Sequence, residues 1–415
     1  MILRRMAAVT IAALTAAGAA VLAQQPGHTA PRLDCGSAAT VSEKLPGGTR
    51  WQLCWHIDAK AGLVLEDVSV SFGRAAPLPV LHSIAMAQLN VPYDTGANEW
   101  NDITQYGFGG ANMEALTRSD CPGGSRRAAL TGAGAENARV LCVEEKESGP
   151  SYHLADEGQA PYTRQGHDLV LRTISQIGWY EYYTEYRLGD DGRVTARLGA
   201  TGDLSPYDYS DAATGSPVGP GATSYAAAHY HNAFWRVDFA LDGSAAGERV
   251  EQVDTTPTGR SGRRSAILNT TATPIATEAE LTAAPRRWFR VVAGGAVNGD
   301  GHPRSYALQT GANDPYELRP EQVADLTVTQ QKACEKFATF NSDPECPRVR
   351  TVLDYTNGEP VTDPVLWVRV GFHHIPRDED QSPMPSHWQG FDLVPRDLTA
   401  TNPLGPSVRA SVNGQ

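Results

Sequence analysis

Residues 171–202 read LRTISQIGWYEYYTEYRLGDDGRVTARLGATG. The first part is rich in Ile, Trp, Tyr and Thr, side chains that suit a pleated, half-buried backbone. It stops at Leu188, Gly189, Asp190, Asp191 and Gly192, a composition typical of turns. Residues 193–198 then return with strict alternation, so the stretch predicts a β-hairpin. Tyr180, Tyr182, Tyr183 and Tyr186 all fall on its first arm.

Outward from this hairpin the same period-two signal recurs. Residues 51–57, 62–70, 79–84, 140–144, 167–177, 235–241, 286–292 and 365–372 are predicted strands. Residues 84–90 fit either strand or short helix. Only 320–340 predicts a long helix, with Glu321 and Asp325 early and Lys332 and Lys336 late, as the helix dipole prefers. Residues 91–102 and 203–223 are expected to be loops, the first carrying distinctive polar and aromatic side chains. No tandem repeat or linker divides the chain. The expectation is one large antiparallel β-sandwich over residues 24–415, mostly β in class.

The chain has 415 residues, enough for a large core, and a formal net charge of -12. That charge argues against nucleic acid as a partner. Arg4 and Arg5, an Ala-rich apolar run, and Val21, Leu22 and Ala23 before Gln24 predict a signal peptide over residues 1–23. No other long apolar run predicts a membrane span, so the mature chain is expected to be secreted. Six cysteines in an exported chain suggest disulfides, and their order suggests the pairs 35–54, 121–142 and 334–346. Other pairings stay open on sequence alone.

Chemistry enters through histidines. His229 and His231 flank Tyr230, and alternate residues of a strand face one side, so two imidazoles aim at one point. A third candidate lies in Gly371-Phe372-His373-His374. Three imidazoles suit copper or zinc. The competing reading is histidines satisfied by hydrogen bonds.

Several motifs together carry a resemblance. Ile177-Gly178-Trp179-Tyr180-Glu181-Tyr182 resembles the Val-Gly-Asn-Tyr-Asp/Glu-Tyr segment of the copper-containing (topaquinone) amine oxidases. His229 and His231, followed by Leu241-Asp242-Gly243, are similar to that family's paired copper ligands. His374, followed by Ile375, Pro376, Arg377 and then Met384-Pro385, is similar to the third. Asp102-Ile103-Thr104-Gln105-Tyr106-Gly107 resembles the Asp-x-Gly-Glu-Tyr-Gly segment that holds the catalytic Asp. Val91-Pro92-Tyr93 resembles the segment of a tyrosine that hydrogen-bonds to the quinone. The likeness runs over about residues 54–395 and covers the catalytic domain only.

The resemblance implies copper(II) held by His229, His231 and His374, topaquinone made from Tyr180, and Asp102 as base. It also implies oxidation of a primary amine by oxygen, and a homodimer with exchanged arms, one of them within 244–262. It pairs Cys121 with Cys142. Asp238 and Asp363 match two ligands of a peripheral calcium site that Ala240 weakens. Trp179 stands where the family has Asn, Thr104-Gln105 replaces Gly-Glu, and the 93–102 loop is short. The usual extra N-terminal domains are not seen. A copper oxidase acting on a non-amine substrate, or a non-catalytic subunit with a partner subunit, are the alternatives these departures suggest. Trp179, Trp100 and Phe108 are expected to line the channel.

Overall fold

The computed structural model describes residues 33–405, apart from 37, 136, 156–160 and 244–246. The predicted leader and the start of the predicted arm therefore lie outside the described residues. Among those described, two large antiparallel sheets of nine and ten strands dominate, as expected for a sandwich.

In the first sheet, Leu78–Pro92, His229–Phe239 and Pro364–His374 are neighbours. In the second, Tyr162–Ile177, Tyr180–Gly189, Val194–Gly202 and Met384–Arg396 run side by side. One buried cluster draws on both, with Trp235, Val237 and Val368 from the first and Leu171, Tyr186 and Leu393 from the second. Trp235 meets Phe391 edge-on across the gap at 5.4 Å. Alternation places these side chains inward from each sheet, and their burial holds the two together.

The opening stretch differs from the predicted hairpin. Its aromatic arm is two strands, Tyr162–Ile177 and Tyr180–Gly189, with Ile177 paired to Tyr180. The two-residue turn between them is Gly178 and Trp179, and Gly178 has φ 65°. A glycine at the first central position suits the tight hairpin turn that matches strand twist. With Val194–Gly202 the unit is a three-stranded meander. Tyr180 thus begins a strand, side chain inward, while Trp179 sits on the turn and is 38% exposed.

The long helix over 320–340 does not form. Residues Pro320–Gln322 make one 3-10 turn, and Leu326–Gln330 is a strand between Ala279–Leu281 and Pro364–His374. Thr327, Val328 and Thr329 are β-branched and fill a slot in a sheet, which outweighs the charge pattern. The charges that imitated helix ends pair elsewhere: Lys332 with Glu359 at 2.9 Å, Lys336 with Asp343 at 2.7 Å. The segment 203–223 is less irregular than expected. It contains the 3-10 turn Pro206–Asp208 and the strand Gly215–Val218, which pairs with Ser224–Ala227.

Disulfides join Cys35 to Cys54, Cys121 to Cys142 and Cys334 to Cys346, the order-based pairs. Residues 84–90 belong to the strand Leu78–Pro92. The hairpin Arg249–Ser261 with Ala266–Pro274 projects from a sheet edge, and every residue of its second strand is exposed. No helix among the described residues is long and apolar enough to cross a membrane.

Candidate active site

The site lies where the two sheets face each other near one end. Strand register supplies its first half. His229 and His374 are directly opposed partners on adjacent strands, and His231 lies two residues along on the same face. All three are buried at 1% exposure. The second sheet supplies the other half, since the tight turn at Gly178 delivers Tyr180 into the gap.

Tyr180 Oη lies 3.0 Å from His229 Nε2 and 3.3 Å from His374 Nδ1, and those two nitrogens are 3.4 Å apart. His229 Nδ1 faces the Ala227 carbonyl at 3.3 Å, and His374 Nε2 faces Asp380 Oδ2 at 2.9 Å. Each outer nitrogen therefore donates, which leaves a lone pair on each inner one. The Tyr180 hydroxyl has a single proton to share between them. Neither nitrogen of His231 has a hydrogen-bond partner. Its ring lies 5.0 Å from that of His229 and 5.5 Å from that of Tyr180.

Burial lowers the His229 pKa to about 3 and holds that of His231 far below its ordinary value. Burial also lowers that of His374, against the pull of Asp380. All three imidazoles are therefore neutral near pH 7, the state in which an imidazole can ligate a metal. Ligand atoms about 2.0 Å from one ion stand roughly 3.3 Å apart in tetrahedral geometry. The spacings among Tyr180, His229 and His374 have this size. Facing lone pairs and an orphaned imidazole are favourable around a cation and costly without one. The residues present therefore fit a cation that takes imidazole ligands, copper among them.

Asp102 opens the short helix Asp102–Gln105, which Gln105 stabilises by turning its Oε1 back to the Asn101 amide at 2.7 Å. Thr104, the other departure from the family pattern, accepts from Gln88 Nε2 at 2.8 Å. The Asp102 carboxyl is only 4% exposed. Burial raises its pKa to about 7, opposed by a hydrogen bond from the Tyr182 hydroxyl. Tyr182 in turn stacks between Phe108 at 5.2 Å and Tyr180 at 5.7 Å. Asp102 and Tyr180 are thus linked through one aromatic stack. Phe108, expected in the channel, is fully buried and backs this stack instead. Its neighbours in sequence are close-packed glycines that seat the loop against Asp58 and Ala59.

Tyr93 stacks on His229 at 4.6 Å, and its hydroxyl donates to Asp208. Asn98 also donates to Asp208. Trp179 meets Tyr207 edge-on at 4.9 Å, so its ring lies against the 206–208 turn. Tyr182, Asp208 and Asp380 were not among the expected site residues. Tyr182 and Asp380 carried a signal, since Tyr182 closes the motif around Tyr180 and Asp380 falls inside the motif that follows His374; Asp208 carried none. At the predicted peripheral site, Asp238 and Asp363 each keep one buried oxygen without a partner, while Arg236 stands 3.6 Å from Asp238.

The family model "Copper amine oxidase, enzyme domain" matches residues 48–413. The chain belongs to the copper amine oxidase family, which implies copper and a quinone cofactor. Primary amine oxidase 2 of Arabidopsis thaliana is 25% identical over 395 residues, covering 85% of this chain and 57% of that protein. Histamine oxidase of Arthrobacter globiformis is 26% identical over 384 residues, covering 85% and 55%. The copper-containing benzylamine oxidase from Hansenula polymorpha shares the fold with TM-score 0.70 at 20% identity, covering 88% of this chain and 62% of that one. The chain spans just over half the length of the curated relatives it matches.

Proposed function

We propose that this chain oxidises a primary amine with oxygen and water to an aldehyde, ammonia and hydrogen peroxide, using copper and a topaquinone made from Tyr180. The observation that carries the reading is the convergence of the Tyr180 hydroxyl on His229 Nε2 and His374 Nδ1, at 3.0 and 3.3 Å. His229, His231 and His374 would hold the metal. Copper and the quinone supply the redox chemistry that accepts electrons from the amine and passes them to oxygen.

The protein's own task is orientation and proton transfer. A carboxyl with a pKa near 7 is half ionised at neutral pH, which suits a general base. Asp102 removes the proton from the carbon beside the amine nitrogen, with a carboxylate oxygen as acceptor. Tyr182 fixes that carboxylate by donating to it. Tyr93 packs against His229 and keeps water from its ring face.

Several finer readings go with this. Trp100, Trp179 and Tyr207 are exposed aromatics on segments bordering the site and favour an aromatic amine. The histamine and benzylamine oxidases among its relatives point the same way. The disulfides fit an exported protein, although some relatives carry names that place them in peroxisomes. The projecting hairpin Arg249–Ser261/Ala266–Pro274 would serve as an arm in a homodimer. Calcium at Asp238 and Asp363 would bind weakly, because Ala240 adds no carboxylate and Arg236 offsets charge.

The test is to load the purified chain with copper in air, add phenylhydrazine, and assay benzylamine for peroxide release. A coloured adduct and peroxide support the reading. Bound copper with neither, and turnover of a non-amine substrate, would replace it.

A further inference from the structure

Besides the three proposed ligands, one more histidine stands beside the centre. His387 belongs to the strand Met384–Arg396 in the second sheet, opposite Ala200. Its Nε2 lies 3.2 Å from Asp380 Oδ1, a close polar approach without hydrogen-bond geometry, and neither atom has a hydrogen-bond partner. The other oxygen of Asp380 faces His374 Nε2 at 2.9 Å and the Arg377 amide at 3.1 Å. One fully buried carboxylate thus sits between two imidazoles, one on each oxygen. The His387 ring also packs on the His374 ring at 4.5 Å and on Phe372 at 5.3 Å.

We infer that His387 is a positioning residue for the copper centre: its Nε2 stands against the second oxygen of Asp380 and confines that carboxylate, and through Asp380 it orients His374. The inference rests on the copper reading above. His374 presents Nδ1 inward only while Nε2–H is directed at Asp380. A carboxylate gripped on one oxygen can swing about its Cβ–Cγ bond, and the imidazole it holds then swings with it. His387 supplies a second, close polar contact from the opposite sheet. The chain His387–Asp380–His374 therefore fixes the register of one sheet against the other at the metal. Outer partners of metal-bound histidines commonly change metal affinity by about 10–100-fold.

The group His374, Asp380, His387 has ligand atoms all within 4.8 Å and invites a second reading as a metal site of its own. Two observations weigh against it. Arg377 Nε stands 3.6 Å from Asp380 Oδ1 and already brings positive charge there. His374 Nε2 would also have to lose its proton to bridge two ions. The arrangement in which His374 Nε2–H donates to Asp380, with His387 set close against the other oxygen, needs neither.

The experiment measures copper affinity by chelator competition and the Cu(II) electron paramagnetic resonance spectrum. It compares wild type with His387→Ala, His387→Phe, His387→Gln and Asp380→Asn, and with the double variant His387→Ala/Asp380→Asn. His387→Ala should weaken copper by about 10-fold or more and alter the hyperfine pattern. His387→Phe keeps the ring but lacks Nε2 and should do the same. His387→Gln, whose amide can reach Asp380, should restore most of the affinity. In the Asp380→Asn background the loss from His387→Ala should shrink, because the two act in series. Circular dichroism of the metal-free variants checks that each is folded. Wild-type affinity in His387→Ala, or full additivity in the double variant, would overturn the inference alone. A second metal equivalent lost with His387 would overturn it in favour of a two-metal site. A wild-type chain that binds no copper would overturn the copper reading and this inference together.

Discussion

Replacing Asp102 by Asn separates two consequences of one buried carboxyl. Its pKa rises from 3.8 to about 7 on folding because burial penalises the charged form. Folding therefore binds the proton more tightly. The carboxyl costs nothing in stability below about pH 4, and its cost grows through the interval up to pH 7. Above that the folded chain carries the whole penalty. About three pKa units at 1.36 kcal/mol each give roughly 4 kcal/mol. Asn cannot ionise, and its side-chain oxygen still accepts from Tyr182. Asp102→Asn should thus stabilise the metal-free chain by up to about 4 kcal/mol at pH 8–9, and by almost nothing near pH 4. Denaturant unfolding of both forms across that range measures the difference. The same carboxyl as base requires amine turnover in the wild type to rise about tenfold per pH unit below 7 and then level off. The variant should lose that limb and about 10²–10⁴ in kcat. Equal stability at both pH values, or an unchanged pH–rate profile in the variant, would refute the reasoning.

Other outcomes follow from single contacts. His231→Leu should raise the stability of the metal-free chain by about 1–3 kcal/mol by removing two unpartnered buried nitrogens, and should abolish copper retention in metal analysis after dialysis. Copper at one hundred times its dissociation constant should stabilise the wild type by about 2.7 kcal/mol, visible as a shift in thermal unfolding absent from that variant. Gly178→Val forces a branched side chain into a turn at φ 65°. It should cost at least about 1–2 kcal/mol and slow quinone formation by displacing Tyr180. Shortening the hairpin at residues 256–270 should convert a dimer to a monomer in light scattering, with the circular dichroism spectrum retained.

The strands and the sheet class were legible because alternation of apolar residues is a local property. Tyr180, His229, His231 and His374 were legible as types in motifs, but what joins them is register. No local pattern says that His229 pairs with His374 across two strands more than one hundred residues apart in sequence. The turn at Gly178 and Trp179 is marked in sequence only by one glycine within a stretch otherwise rich in β-favouring residues. The false helix at 320–340 came from charges placed as helix ends prefer, whereas Lys336 pairs with Asp343 just beyond it and Lys332 with Glu359 further along the chain. His387 carried no signal at all. Its role depends on the opposite sheet bringing Asp380 to it, and only packing can arrange that. Trp179, a departure that suggested lost activity, lies on the outer side of the turn against Tyr207.

The most direct measurement is the mass of the peptide containing residue 180 after copper loading in air, beside the same chain kept metal-free. The expected result is a gain of two oxygen atoms and a loss of two hydrogens at Tyr180, only in the copper-loaded sample. An unaltered tyrosine in a chain that has bound its copper would contradict the proposed chemistry.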